Sequence, residues 1–182
     1  MSKLSQAIAE GDGISFIVEV SDSAGAKSAE AQGADGLAVI TNANSVRMTS
    51  ALPLLHLGHL FDAQGSASDA VVIKPDLAMW DEGHALGLEC IVRVREPSEL
   101  ERVLRYFDPE VFLLSVPEDA DDDPVTVLLD LLHDVPAGKL AIAELHDATP
   151  EDVSELERSG VDAVLVSHGV LATLMPADPP EV

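Results

Sequence analysis

One pattern occurs twice in this chain, and it restricts the fold more than any other feature. Residues 29–41 read AEAQGADGLAVIT, and residues 156–168 read LERSGVDAVLVSH. Each copy is a helix end, a glycine, one further residue, an aspartate and an apolar strand. The second copy is preceded by another apolar run (140–145), a polar loop and a helix opened by Thr149-Pro150. A strand, a helix and a second strand in that order make a parallel unit. Strands of a parallel sheet are buried on both faces and read as continuous apolar runs. Two copies so far apart imply an internally repeated α/β fold.

Eight candidate strands follow from the same criterion: 15–20, 36–41, 52–57, 70–74, 89–94, 111–115, 140–145 and 163–167. Helical patterns separate most of them. The segments 24–32, 77–86 and 150–159 each stop at a glycine; 96–106 and 124–133 carry proline in the first turn, where the missing N–H costs nothing. The connections 42–51 and 58–69 hold only a turn or two of helix each. Eight alternating units predict a compact (β/α)₈ TIM barrel with trimmed helices on one side, although such barrels typically need about 200 residues or more. The alternative is an open doubly wound parallel sheet. Equivalent units at strands two and eight favour the closed ring. We expect a single domain over residues 1–182, with a short N-terminal helix at 3–10 and a disordered acidic tail at 176–182.

Composition narrows the function classes. Of 182 residues 47% are hydrophobic, which a disordered acidic chain would not be. Aromatic residues are only 3%, so the core is built from Val, Leu, Ile and Ala. No apolar run is long enough to span a bilayer, and 1–13 shows no secretion signal. The single cysteine, Cys90, excludes a disulfide framework and fits a reducing cytoplasm. The formal net charge of −23, from 33 acidic and 10 basic residues, repels nucleic acid and anionic membranes. It also far exceeds the roughly 2–8 units usual for a small domain. The acids are spread along the chain, which suits a salt-rich interior with a Debye length of about 3 Å better than a localised docking surface. A basic partner is the competing explanation.

Several motifs resemble indole-3-glycerol-phosphate synthase, the (β/α)₈ enzyme of tryptophan synthesis. That family runs a strand into Ser-Glu-Ser-Gly, then a Thr-x-Glu-Asp-Val helix, then Gly-x-Asp-Ala-Val-Leu. Ala143-Glu144-Leu145-His146, Thr149-Pro150-Glu151-Asp152-Val153 and 160–165 are similar to it. Residues 29–41 resemble the family's second unit, 52–55 its Leu-Pro-Val-Leu, and 87–94 its Gly-Leu-Glu-x-Leu-Val-Glu-Val. The resemblance implies a barrel whose N-terminal extension is cut to one helix. It also implies where the active-site residues should stand. Glu19 and Glu144 match the family's first- and seventh-strand glutamates. Ser21 replaces the first-strand lysine, Leu57 the general-acid lysine, and Arg93 the fifth-strand catalytic glutamate. Ser115-Val116 falls near the sixth-strand Asn-Asn pair, and Ser167-His168-Gly169 stands at the phosphate turn. The family's ring-closing decarboxylation needs an acid lysine and a paired carboxylate. The usual positions for both are changed here.

Barrel active sites lie at the C-terminal rim, where alternate strand residues face inward. If the family's parity holds, the inward rim residues are Glu19, Ser21, Thr41, His59, Lys74, Arg93, Arg95, Ser115, Glu144, His146 and His168. Below them stand Ile17, Val72, Ile91, Leu113 and Ile142. Lys74, ending the run Val71-Val72-Ile73, is a catalytic candidate because a dry mouth would lower its pKa; the bland reading pairs it with Asp76 or Glu19. Glu19 and Glu144 are acid/base candidates, or simply neutralise Arg93. Arg93, with Ser115, Ser167, His168 and Gly169, is a candidate to bind substrate anions. His56, His59, His146 and His168 lack tight ligand spacing, so no metal and no cofactor are expected. The acidic run 118–123 reads as a solvated turn, and Met79 and Trp80 as packing residues. Two functions fit. One is a pseudoenzyme, scaffold or ligand-binding barrel without the standard synthase activity. The other is an active lyase or isomerase on a small anionic or phosphorylated metabolite, using a rearranged rim site. The sequence does not fix the oligomeric state.

Overall fold

The computed structural model describes residues 3–174; the expected acidic tail at 176–182 lies outside them. Eight parallel strands alternate with helices: β1 (Ser15–Glu19), β2 (Gly36–Val39), β3 (Leu54–His56), β4 (Ala70–Ile73), β5 (Glu89–Val94), β6 (Val111–Ser115), β7 (Leu140–Glu144) and β8 (Ala163–Ser167). Each strand pairs with the next. The ring closes where Ser15 to Glu19 of β1 run beside Ala163 to Ser167 of β8. That pairing removes the open-sheet alternative and makes the chain a (β/α)₈ barrel.

The helices are α1 (Lys3–Glu10), α2 (Ser23–Ala31), α3 (Ala43–Arg47), α4 (Leu60–Ala63), α5 (Leu77–Ala85), α6 (Pro97–Tyr106), α7 (Pro124–His133), α8 (Pro150–Ser159) and α9 (Leu171–Leu174). Their ends follow local chemistry. The Thr149 side chain accepts from the Asp152 N–H and the Asp152 carboxylate accepts from Thr149, a reciprocal cap that starts α8. Gly160 stops it with φ 95°, a backbone angle only glycine adopts cheaply. Helices α3 and α4 have five and four residues, so that flank is thinly covered. Met48 and Phe61 are left 87% and 77% exposed there.

The repeated Gly-x-Asp has a structural purpose. Asp35 Oδ2 accepts the Phe16 N–H of β1 at 2.8 Å, and Asp162 Oδ2 accepts the Ala141 N–H of β7 at 2.8 Å. Asp69 repeats the device, accepting the Leu54 N–H of β3 at 2.9 Å while pairing with Arg47. In each case the aspartate before one strand holds the start of the preceding strand, so the repeat is a ring-building element.

Two apolar layers result. Ile17, Ala38, Leu55, Ile91, Leu113 and Ile142 fill the barrel interior, and Leu4 and Ile8 of α1 join them. Leu4 lies against Gly36, the first residue of β2, so α1 plugs the N-terminal end. The outer layer, including Val18, Leu37, Val92 and Leu114, packs the barrel against its helices. The expected inward apolar residues all belong to the inner layer. Thr41 does not share their orientation. Ala38 faces inward, and the next inward residue of that run is Ile40, which lines a mouth cavity with Leu57 and Arg93. A continuous apolar run carries no parity signal of its own, so extending β2 to residue 41 shifted the assignment by one.

Candidate functional site

The inner layer ends at the C-terminal rim in a chain of polar groups. Register sets Ser115 of β6 beside Glu144 of β7. The Ser115 hydroxyl donates a hydrogen bond to Glu144 Oε2. Arg93, reaching across from β5, donates from a terminal guanidinium nitrogen to Glu144 Oε1 at 2.9 Å. His146, two residues beyond Glu144, stands between two carboxylates. Its Nε2 lies 3.5 Å from Glu144 Oε1 and its Nδ1 lies 3.4 Å from Glu19 Oε2. Glu19, His146, Glu144 and Arg93 thus form one line of alternating charge across the mouth. Glu144 is its buried centre, with a side chain 14% exposed.

Electrostatics follow from that order. Burial would raise the Glu144 carboxyl, but His146, Ser115 and Arg93 together outweigh it and hold the group below its usual range. The hydrogen bond from His146 to Glu144 raises the imidazole above its usual range, against partial desolvation and with help from the Glu19 and Asp147 charges. Imidazolium between two carboxylates is a group able to give a proton and take it back. The sequence placed His146 inward. Its role as the bridge depends on distances across the barrel, which no local pattern shows.

Two cavities of opposite character flank this line. One, of about 230 Å³, is lined by His59, Lys74 and Arg93 with apolar walls from Ile40, Leu57 and Met79, and has no carboxylate. The Nε of Arg93 is buried and has no hydrogen-bond partner. The other, of about 580 Å³, lies over the β6 and β7 loops and carries Glu118, Asp123, Glu144, His146, Asp147 and Asp152. A third, of about 230 Å³, joins Glu19 and Ser21 to Ser167 and His168.

The remaining candidates scatter. Lys74 is exposed just past the end of β4, and among the described residues no ion pair holds it. Pairing with Asp76 or Glu19 is not what the structure has: Asp76 caps α5 by accepting from Met79, and Glu19 faces His146. Ser167 continues the inward parity of Leu165, so His168 falls on the other side, with its Nε2 buried and unpartnered. A side chain at Gly169 would meet nothing within 4 Å, so the turn there is open. Glu19 and Glu144 are therefore joined through His146, and Arg93 and Ser115 close around Glu144. Lys74, Ser167, His168 and Gly169 lie outside that network. Among the described residues no three His, Cys, Asp or Glu side chains cluster as metal ligands. No helix of the described residues is long and apolar enough to cross a membrane. Trp80 packs edge-on against Phe107 at 5.5 Å, as a packing residue should.

Comparison with known proteins bears out the resemblance seen in the motifs. No protein-family model matches the chain. It is 25% identical over 175 residues to indole-3-glycerol phosphate synthase of Geobacillus sp. (strain WCH70), covering 80% of this chain and 66% of that protein. It is 29% identical over 145 residues to the enzyme of the same name from Variovorax paradoxus, covering 72% and 54%. The chain thus spans about two thirds or less of the length of these curated relatives. Among solved structures it is similar to the N-acetylmannosamine-6-phosphate 2-epimerase of Clostridium perfringens, with TM-score 0.70, 16% identity and coverage of 89% and 88%. Thiamine phosphate pyrophosphorylase of Pyrococcus furiosus matches with TM-score 0.70, 14% identity and coverage of 90% and 91%. These two likenesses show the fold.

Proposed function

We propose that this chain, a divergent relative of the indole-3-glycerol phosphate synthases, does not perform their ring-closing decarboxylation and instead holds a small anionic metabolite at its barrel rim. The observation that carries this reading is the Arg93–Glu144 pair. Arg93 occupies the place where the resemblance puts a catalytic glutamate, and its charge is matched within the protein at 2.9 Å. Leu57 occupies the place of the acid lysine and is an apolar wall of the adjoining cavity. The standard reaction needs a proton donor and a paired carboxylate at those two points. Here one is a hydrocarbon and the other a cation.

Anion binding rests on the basic half of the mouth. Lys74 supplies an exposed point charge and His59 a neighbouring imidazole. Arg93 adds its guanidinium to the same lining, with a side chain 21% exposed. Apolar Ile40, Leu57 and Met79 favour a ligand with a hydrocarbon body. Carboxylates on the other side of the mouth orient it by repulsion.

A second reading is supported by His146. Held between Glu19 and Glu144, it would exchange a proton with a substrate anchored at Lys74 and Arg93, making the chain a lyase or isomerase with His146, Glu19 and Glu144 as its acid/base groups. Titration calorimetry at constant ionic strength, with benzoate and inorganic phosphate as probes, tests the shared binding step. The expected result is saturable binding of at least one probe, weakened about tenfold by Lys74→Ala, the loss of one charge-assisted contact. Absence of binding by both, or binding indifferent to Lys74→Ala, refutes it.

A further inference from the structure

The acidic residues leave one face of the ring uncovered. Of the 33 in the chain, only Asp62 falls within residues 36–68, the stretch from β2 to just before β4. The one Lys or Arg of that stretch, Arg47, is consumed inside the fold. It pairs with Asp69 and donates to the Ala67 and Leu52 carbonyls at 3.1 and 2.8 Å. The surface of this stretch therefore presents one exposed carboxylate, Asp62, on a chain whose net charge is −23.

The same stretch holds the most exposed apolar side chains. Helices α2 and α5 to α8 have nine or ten residues, whereas α3 and α4 have five and four. Ala43 and Val46 of α3, and Leu60 and Ala63 of α4, are buried and take the inward positions. Behind them every residue of β2 and β3 is buried, so the core is complete without further help. Met48 and Phe61 are left outside it. At 87% and 77% they are the two most exposed large apolar side chains among the described residues. Single apolar residues on a surface are ordinary. These two coincide with the gap in charge and with the trimmed helices.

Charge selects the partner. A basic protein is drawn to the acidic faces and finds only Asp62 here. Nucleic acid and anionic membranes are repelled by the chain as a whole. A second copy is repelled too, except where both copies present this face. Pairing the two faces about a two-fold axis sets the Met48 and Phe61 region of one copy against the same region of the other and turns the acidic faces outward. A stable interface needs about 800 Å² per partner, roughly a tenth of a surface of 9432 Å². Two of the eight units of the ring present the face.

We infer that the chain forms a two-fold symmetric homodimer through the α3–α4 flank, with Met48 and Phe61 in the contact. The dimer does not depend on what the mouth binds. Sedimentation velocity of the full chain tests it, from about 1 to 100 µM protein in about 1 M KCl, where the Debye length is about 3 Å. The expected result is a concentration-dependent monomer–dimer equilibrium that tightens as KCl is raised from about 0.1 M, because salt screens the repulsion between copies. Phe61→Glu and Met48→Glu each weaken association about tenfold or more by setting a charge in an apolar contact. Both positions are exposed, so each variant folds as the parent does, which circular dichroism checks. Leu104→Glu, on α6 outside the face and 42% exposed, leaves association unchanged. A chain that stays monomeric over the whole range overturns the inference. So does a dimer that Phe61→Glu and Met48→Glu leave intact, or one that Leu104→Glu dissociates.

Discussion

Replacing Arg93 by methionine leaves the hydrocarbon stem in place and removes the charge opposite Glu144. Both side chains are mostly buried, at 21% and 14% exposed, so solvent does not screen the pair as it would at the surface. Breaking a buried pair by deleting one partner typically costs about 3–5 kcal/mol. Ser115 and His146 still hold the Glu144 carboxylate, which reduces the expected loss to about 2 kcal/mol. For a chain of this length that is a fall of roughly 4–8 °C in melting temperature. The pH dependence is the sharper signature. Glu144 is held below its ordinary 4.5, so its stabilisation is present above that value and is lost as pH falls through the lowered folded value. His146 is held above its ordinary 6.5, so its stabilisation is present below 6.5 and is lost as pH rises through the raised folded value. Without Arg93 the Glu144 carboxyl rises, its acid limb shrinks, and parent and variant converge as the medium is acidified. Chemical denaturation at pH values from 8 down to well below 4.5 measures both effects. A loss below about 0.5 kcal/mol, the scale of a surface ion pair, would refute the view of Glu144 as a buried charge centre.

Three further outcomes check other parts of the account. Asp162→Ala removes the acceptor for the Ala141 N–H of β7 and should cost about 1–2 kcal/mol by denaturant melts, whereas Asp162→Asn, which keeps an oxygen, should cost less. Gly83→Ala would bring a Cβ within 2.3 Å of Cys90 Sγ; it should destabilise by about 1–3 kcal/mol despite better helix propensity, and added Cys90→Ala should recover most of that loss. We propose that the −23 charge adapts the chain to high salt, so its melting temperature should climb steadily between about 0.1 and 2 M KCl. A flat or falling curve would favour a basic partner as the reason for the charge.

The ring of strands was legible because each is a both-face-buried apolar run and most intervening helices carry their own start and stop residues. Thr149 with Asp152, Pro150 and Gly160 mark α8 without any tertiary information. Legibility declined at the rim, where strands stop. Residue 41 lies beyond the last paired residue of β2, and Ile40 rather than Thr41 lines the mouth. Lys74 lies one residue past β4 and is exposed, which the apolar run before it does not reveal. The Arg93–Glu144–His146–Glu19 line joins residues from three strands, and only its parity could be read in advance. His56 stood out only as a strand-end histidine. That its ring is almost wholly buried depends on the loops folded around it.

The most direct test of the central claim is turnover of the family substrate, carboxyphenylamino-deoxyribulose phosphate. Indole fluorescence would follow the reaction in low salt and in about 2–3 M KCl, conditions spanning weak and strong screening, with circular dichroism confirming a folded sample. The account predicts no turnover above background in either buffer. Turnover that disappears with Glu144→Gln or Lys74→Ala would contradict it and establish that a rearranged rim performs the synthase chemistry.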